Sequence, residues 1–147
     1  MAGFIGAPQM NFFDAQLVCL EKEDFEKEYN VVLNGKYFPL SSQSTAKLLK
    51  NYNVTKDIIL GVRPEHIALE KSNSNAITAK VELSEMMGSE IHVHVKLNGK
   101  DVIIRTPVLG LDQSIADAIE KNGEISFTFT HEVMHLFDKE SGLSLLR

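Results

Sequence analysis

Two stretches of this chain constrain its fold more than anything else in it. Residues 90–97 read EIHVHVKL, with Ile91, Val93, Val95 and Leu97 falling on alternate positions, and Asn98-Gly99 follows at once. Residues 28–34 read EYNVVLN, and there too an Asn-Gly pair, Asn34-Gly35, comes immediately before KYFPL. Strict alternation is the signature of a half-buried strand, because successive side chains leave a strand on opposite faces. Asn-Gly is the preferred pair for the tightest hairpin turns, which require positive φ at both central residues. Each stretch therefore predicts a β-hairpin.

The rest of the chain follows the same grammar. Residues 15–21 (AQLVCLE), 57–62 (DIILGV, stopped by Pro64) and 76–87 (AITAKVELSEMM, broken at Gly88-Ser89) read as strands. So do DVIIRTPV, EISFTFT and MHLFD, with LSLL at the end. Two short helices are expected. One is capped by Ser41 or Ser42 and carries Ala46, Leu48, Leu49 and Tyr52; the other runs from Asp112 through Ile115, Ala118 and Ile119 to Asn122-Gly123. Many short strands, tight turns and little helix predict an all-β barrel or sandwich. The polar loop KSNSN at 71–75 halves the chain, so two small intertwined barrels are expected, with no internal repeat evident in the letters.

Composition narrows the function classes. The 147 residues carry a net charge of -5 and no Lys/Arg cluster longer than two, which argues against a nucleic-acid surface, where phosphate contacts dominate affinity. No apolar run approaches the ~20 residues of a membrane span, and MAGFIGAPQMNFF has neither the basic nor the apolar region of a secretory signal. The single cysteine, Cys19, rules out an internal disulfide and reads as a small buried hydrophobe, in keeping with a cytoplasmic protein.

Chemistry-bearing motifs are few. Residues 131–135, HEVMH, match the zinc-protease pattern letter for letter. That pattern works only on a helix, where positions i and i+4 share a face and both imidazoles reach one ion. Here an alternating strand precedes it and the turn cluster DKESG begins at Asp138, so no helix fits and a zinc site on His131 and His135 is a remote alternative. His92 and His94 share one strand face and could meet one metal, but with no acidic partner nearby and Lys96 along the same face, a solvated polar face is the better reading. Pairs such as Glu21/Glu23 and Glu26/Glu28 lie beside lysines, with nothing to mark a catalytic cleft. Phosphate-binding loops, GxGxxG, GxSxG and CxxC are all missing. No catalytic residue, metal or cofactor is assigned to this chain.

Four strings remain: GFIGAPQMNF at 3–12, LGVRPEHIAL at 60–69, VELSEMMGSEIHVHV at 81–95 and HLFDKESG at 135–142. In this order and at these intervals they closely resemble the C-terminal region of the ATP-binding subunits of carbohydrate-uptake ABC transporters, of the maltose, glycerol-phosphate and multiple-sugar importer type. The resemblance covers almost the whole chain. It departs at Thr130-His131-Glu132-Val133-Met134, where an acidic-Pro-Glu step is usual, and at 109–123, which looks longer and more helical.

The resemblance implies tandem interleaved OB-like barrels, the TOBE (MOP-like) regulatory domain, over residues 15–147, with 1–14 as the connector from a nucleotide-binding domain. The chain is then expected to be a fragment, and ATP, magnesium and the ATPase activity belong to the parent protein. Its implied partners are a second ATPase subunit, the nucleotide-binding domain and the transmembrane permease subunits, at the cytoplasmic face of the membrane. The implied structural and interface residues are Gly61, Arg63, Pro64, Glu65, His66, Gly88, His135, Phe137 and Asp138. Phe4, Met10, Phe12 and Phe13 form an apolar cluster expected to face the absent domain. The alternative is a free-standing OB-like module that binds a small ligand or oxyanion.

Overall fold

The Asn-Gly turns close as their chemistry requires. Asn34 and Gly35 have φ of 51° and 74°, and Asn98 and Gly99 have 53° and 79°, which is the both-positive geometry that matches strand twist. In a computed structural model of the chain, residues 10–21, 27–40, 55–70 and 76–145 are described. The expected helix at 41–52, the loop at 71–75, Phe4 and most of the connector lie outside them.

The described residues form ten strands and one helix: β1 Asn11–Glu21, β2 Lys27–Leu33, β3 Lys36–Pro39, β4 Lys56–Val62, β5 Ala68–Glu70, β6 Ile77–Met87, β7 Glu90–Leu97, β8 Lys100–Pro107, α1 Gln113–Glu120, β9 Glu124–Thr128 and β10 His135–Asp138. Single 3-10 turns at Pro64–His66 and His131–Val133 precede β5 and β10. The all-β expectation, with little helix, is what the chain does.

The strands form two five-stranded sheets, in the orders β10-β4-β1-β2-β3 and β5-β9-β6-β7-β8. They belong to two compact units. One contains residues up to Asn11 together with 63–129, and the other contains 12–62 together with 130–147. The second unit is thus assembled from segments that flank the first. The chain changes unit at Asn11/Phe12, Val62/Arg63 and Phe129/Thr130.

The units share one plan. β1-β2-β3-β4 with β10 repeats as β6-β7-β8-β9 with β5, strand for strand. Ile58, Leu60, Val62 and Ile67 of one stretch match Ile125, Phe127, Phe129 and Met134 of the other at constant separation, and all eight are buried. The letters differ at nearly every matched position, so only the geometry reveals the repeat.

The structure shifts several sequence boundaries. β1 starts at Asn11 rather than at residue 15, because Asn11, Phe13, Ala15 and Leu17 alternate inward; a polar residue at a buried position hid the pattern. Cys19 is half-buried rather than part of the core. Pro39 ends β3, where an edge strand tolerates a missing N–H. α1 forms with Asp112 accepting from the Ser114 N–H at 2.9 Å, and Asn122 takes the left-handed conformation that releases the chain, φ 54°.

Leu60 is fully buried in the sheet formed by β10, β4, β1, β2 and β3. Leu60→Ala is expected to cost about 2–5 kcal/mol, read from urea unfolding midpoints; a loss below about 1 kcal/mol would contradict its place in the core.

Candidate functional site

Three of the four strings meet on one strand, β8. The first supplies Asn11. Its side-chain amide donates to the Ile103 carbonyl at 2.8 Å, and its carbonyl oxygen accepts from the Ile103 N–H at 2.9 Å. This reproduces the two hydrogen bonds of a strand partner on an outer strand of the sheet, where unpaired backbone groups are otherwise exposed. Asn11 is only 6% exposed, so its amide is committed to this contact. The second string supplies the 3-10 turn at Pro64–His66, which lies against β8. Pro64 is buried at the first position of the turn, where its fixed φ and missing N–H cost nothing. The His66 N–H donates to the Arg63 carbonyl at 3.0 Å, while the Arg63, Glu65 and His66 side chains are exposed. The third string is β7 itself, paired along the whole of β8. Gly88, at φ 69°, makes the turn that precedes it.

The outer face of β7 is not bare. His92 lies 3.1 Å from a Glu90 carboxylate oxygen, and His94 lies 3.0 Å from one of Glu85. Arg105 donates two bonds to the same Glu90 oxygen, at 3.1 and 2.8 Å. Lys96 reaches Asp101 at 3.0 Å. The expectation that the histidines had no acidic partner is therefore corrected: Glu90 lies two residues before His92 on the same face of β7, and cross-strand register brings Glu85 over from β6 to His94. The His92 bond first, and then Arg105, hold the Glu90 carboxyl below the usual range. Each histidine faces its own carboxylate, and no three His, Cys, Asp or Glu side chains converge as a metal site among the described residues.

HEVMH is likewise divided. His131–Val133 form a 3-10 turn and His135 opens β10, so the two histidines share no helical face. His135 instead pairs with Gly61, and Phe137 with Ile59. Asp138 opens a tight turn: its Oδ2 accepts from the Ser141 N–H at 2.9 Å, its carbonyl accepts from Gly142 at 2.8 Å, and its Oδ1 meets Lys56 Nζ at 3.0 Å. Gly142, at φ 74°, closes that turn. Of the expected apolar cluster near the start, Phe4 lies outside the described residues, and Phe12 and Phe13 take opposite faces of β1. Phe13 is buried at 3% exposure, while Phe12 is half exposed with its ring edge-on to Phe137 at 6.1 Å, because neighbours in a strand face opposite ways. Met10 is half-buried.

A groove of about 390 Å³ lies beside α1, lined by Glu70, Thr78, Ser114, Ile115, Glu124 and Ser126 among others. No lysine or arginine lines it among the described residues, and two carboxylates at its wall oppose an oxyanion. It is a poor fit to the oxyanion alternative.

Where they are described, the strings thus serve turns, edges and register, and comparison with known proteins says where such an arrangement occurs. Residues 60–137, just over half of the chain, match the TOBE domain family, and residues 6–67 match the MalK OB fold domain. The chain belongs to the TOBE domain family. This TOBE chain is 26% identical over its whole length to a maltose/maltodextrin import ATP-binding protein, MalK, of Mannheimia succiniciproducens. It is 27% identical over 96% of its length to the oligosaccharides import ATP-binding protein MsmX of Bacillus subtilis. To the sn-glycerol-3-phosphate import ATP-binding protein UgpC of Ruegeria pomeroyi it is 31% identical over 97%. It spans 37%, 36% and 33% of those proteins, respectively. Its fold resembles that of the cytoplasmic molybdate-binding protein ModG, crystallised with molybdate bound, at a TM-score of 0.60 and 17% identity, covering 90% of this chain and 96% of that one.

Two predictions follow from the TOBE geometry. Asn11→Ala removes both bonds to Ile103 and is expected to cost about 1–2 kcal/mol, with faster hydrogen exchange at the Ile103 amide; unchanged exchange there would show the contact to be dispensable. The Asp138 carboxyl is held at about 2, below its ordinary 3.8, first by the Ser141 backbone N–H and then by Lys56. A depressed carboxyl stabilises the fold above its unfolded-state value, and that contribution fades as pH falls through the folded value. Asp138→Asn should therefore lower the urea midpoint at about pH 5 and make little difference below about pH 2; an equal deficit at both would refute the assignment.

Proposed function

We propose that this chain is the regulatory and dimerisation region of the ATP-binding subunit of an ABC importer for sugars or related solutes. The observation that carries the reading is the match along nearly the whole chain to import ATP-binding proteins for maltodextrins, oligosaccharides and glycerol phosphate. Chemistry agrees with it. The sequence has no phosphate-binding loop, and where its four strings are described they hold turns and strand edges.

In this role the chain acts as a tether. Contact between two copies keeps two nucleotide-binding domains at high effective concentration while they open and close around ATP, so that hydrolysis does not end the association. The parent protein would supply ATP and magnesium binding and work at the cytoplasmic face of the membrane with the permease subunits. Surfaces not used for tethering are open to regulators.

Sedimentation equilibrium of the chain checks the dimerisation step directly. A concentration-dependent monomer–dimer equilibrium is expected. A strict monomer at the highest soluble concentration would overturn self-association as the role of this region and leave its family membership untouched.

A further inference from the structure

Half of β6 has only one neighbour among the described residues. The strand pairs with β9 from Ile77 to Lys80, and the Val81 N–H donates to the Gly123 carbonyl at 2.8 Å, where that side of the pairing stops. β7 continues along the other side as far as Met87. From Glu82 to Met87 no second strand pairs with β6 among the described residues, and all six side chains are exposed. Along an antiparallel strand, alternate residues aim both backbone groups away from the paired neighbour, so this stretch presents a row of donors and acceptors that no described strand takes up.

Natural edges are usually blunted by lysine, proline or a cover. The segment ELSEMM at 82–87 has neither lysine nor proline. Its protection comes from the bulge between Val81 and Leu83, at its base, and from the charges of Glu82 and Glu85. Leu83, Met86 and Met87 stand 47%, 64% and 51% exposed, an unusual load of apolar surface for an open edge. Methionine adapts to differently shaped partners because its side chain is unbranched and polarisable.

Charge decides what could lie there. The hairpin 81–95 holds Glu82, Glu85 and Glu90 and no lysine or arginine. Glu90 is matched by Arg105, but Glu82 reaches Lys96 only at 3.9 Å, and Lys96 lies closer to Asp101. A second copy would bring the same glutamates to the seam, and like charges across a strand pair repel.

We propose that residues 82–87 are a docking edge for an extended segment of a partner protein in which apolar and basic residues alternate. The segment lies in the lane beyond the end of β9, which no described strand fills. Its backbone pairs with β6, its basic residues lie on the face of Glu85 with their apolar stems against Leu83 and Met87, and its apolar residues cover Met86 on the opposite face. This inference stands on the sheet geometry alone and does not require the transporter role.

The test uses the isotope-labelled whole chain and an end-blocked seven-residue peptide of alternating valine and lysine, followed by amide NMR and hydrogen exchange. The peptide is expected to bind saturably and slow exchange of amides within 82–87 about tenfold or more. Methylating alternate peptide backbone nitrogens, replacing its lysines with glutamates, or making Glu85→Lys in the protein should each weaken binding. Absence of binding, protection elsewhere, or equal binding by the methylated peptide would overturn the proposal. So would concentration-dependent protection of 82–87 without peptide, which would mean that a second copy occupies the edge.

Discussion

The pairing of β10 with β4 is the contact on which the second unit depends. His135 to Asp138 lie against Gly61 to Ile58, yet the chain between them has left to build the whole of the other unit. Residues 12–62 and 130–145 become one body only when that long excursion closes. The entropic cost of closure rises slowly with loop length, so a few well-buried contacts can offset it. Ile58, Leu60 and Leu136 supply them, all at 1% exposure or less. Folding order should follow, since non-local pairings of the β4–β10 kind form late.

That arrangement gives the recurring strings their meaning. LGVRPEHIAL carries the chain out of one unit at Val62/Arg63, and the segment before HLFD carries it back at Phe129/Thr130. At both crossings a 3-10 turn redirects the backbone within three residues, and a buried apolar residue, Ile67 or Met134, seats the strand that follows. Gly61 and His135 are neighbours across one sheet, as Ala68 and Thr128 are across the other. Their value lies in where they send the chain. Residues of that kind are compatible with a domain whose task is mechanical, linking and spacing other parts, because none of them needs to touch a substrate.

Much of this was legible in the letters. Alternation and Asn-Gly turns located β2, β3, β7 and β8, since both signals arise from local sterics that tertiary context does not override. Legibility failed wherever a residue's partner came from far along the chain. Asn11 looked like the end of a connector because nothing nearby hints at Ile103, ninety-two positions away. Glu85 and His94 looked unrelated because their meeting depends on cross-strand register and on the bulge between Val81 and Leu83. β5, only three residues long, carries too little alternation to be read at all. The repeat escaped because burial pattern and backbone geometry are shared while side-chain identity is not: Leu60 matches Phe127 and Val62 matches Phe129, equally buried and chemically interchangeable.

HEVMH shows what such a repeat does to motif reading. In the aligned plan its first three residues occupy the same turn as Pro64, Glu65 and His66, and His135 occupies the place of Ala68. Each turn thus carries a glutamate and a histidine, exposed or nearly so, for reasons of local backbone chemistry and solubility. A protease-like string arises in the second copy because a turn residue and a strand residue fall four apart, and the PEHIA of the first copy raises no such suspicion. The physical test that separates the two meanings is periodicity. Four residues along a helix return a side chain to the same face, whereas four residues across a 3-10 turn and into a strand place the two imidazoles on different elements. A letter pattern carries chemistry only with the secondary structure that its spacing assumes, and here the β-branched and aromatic approach EISFTFT already denies it that structure.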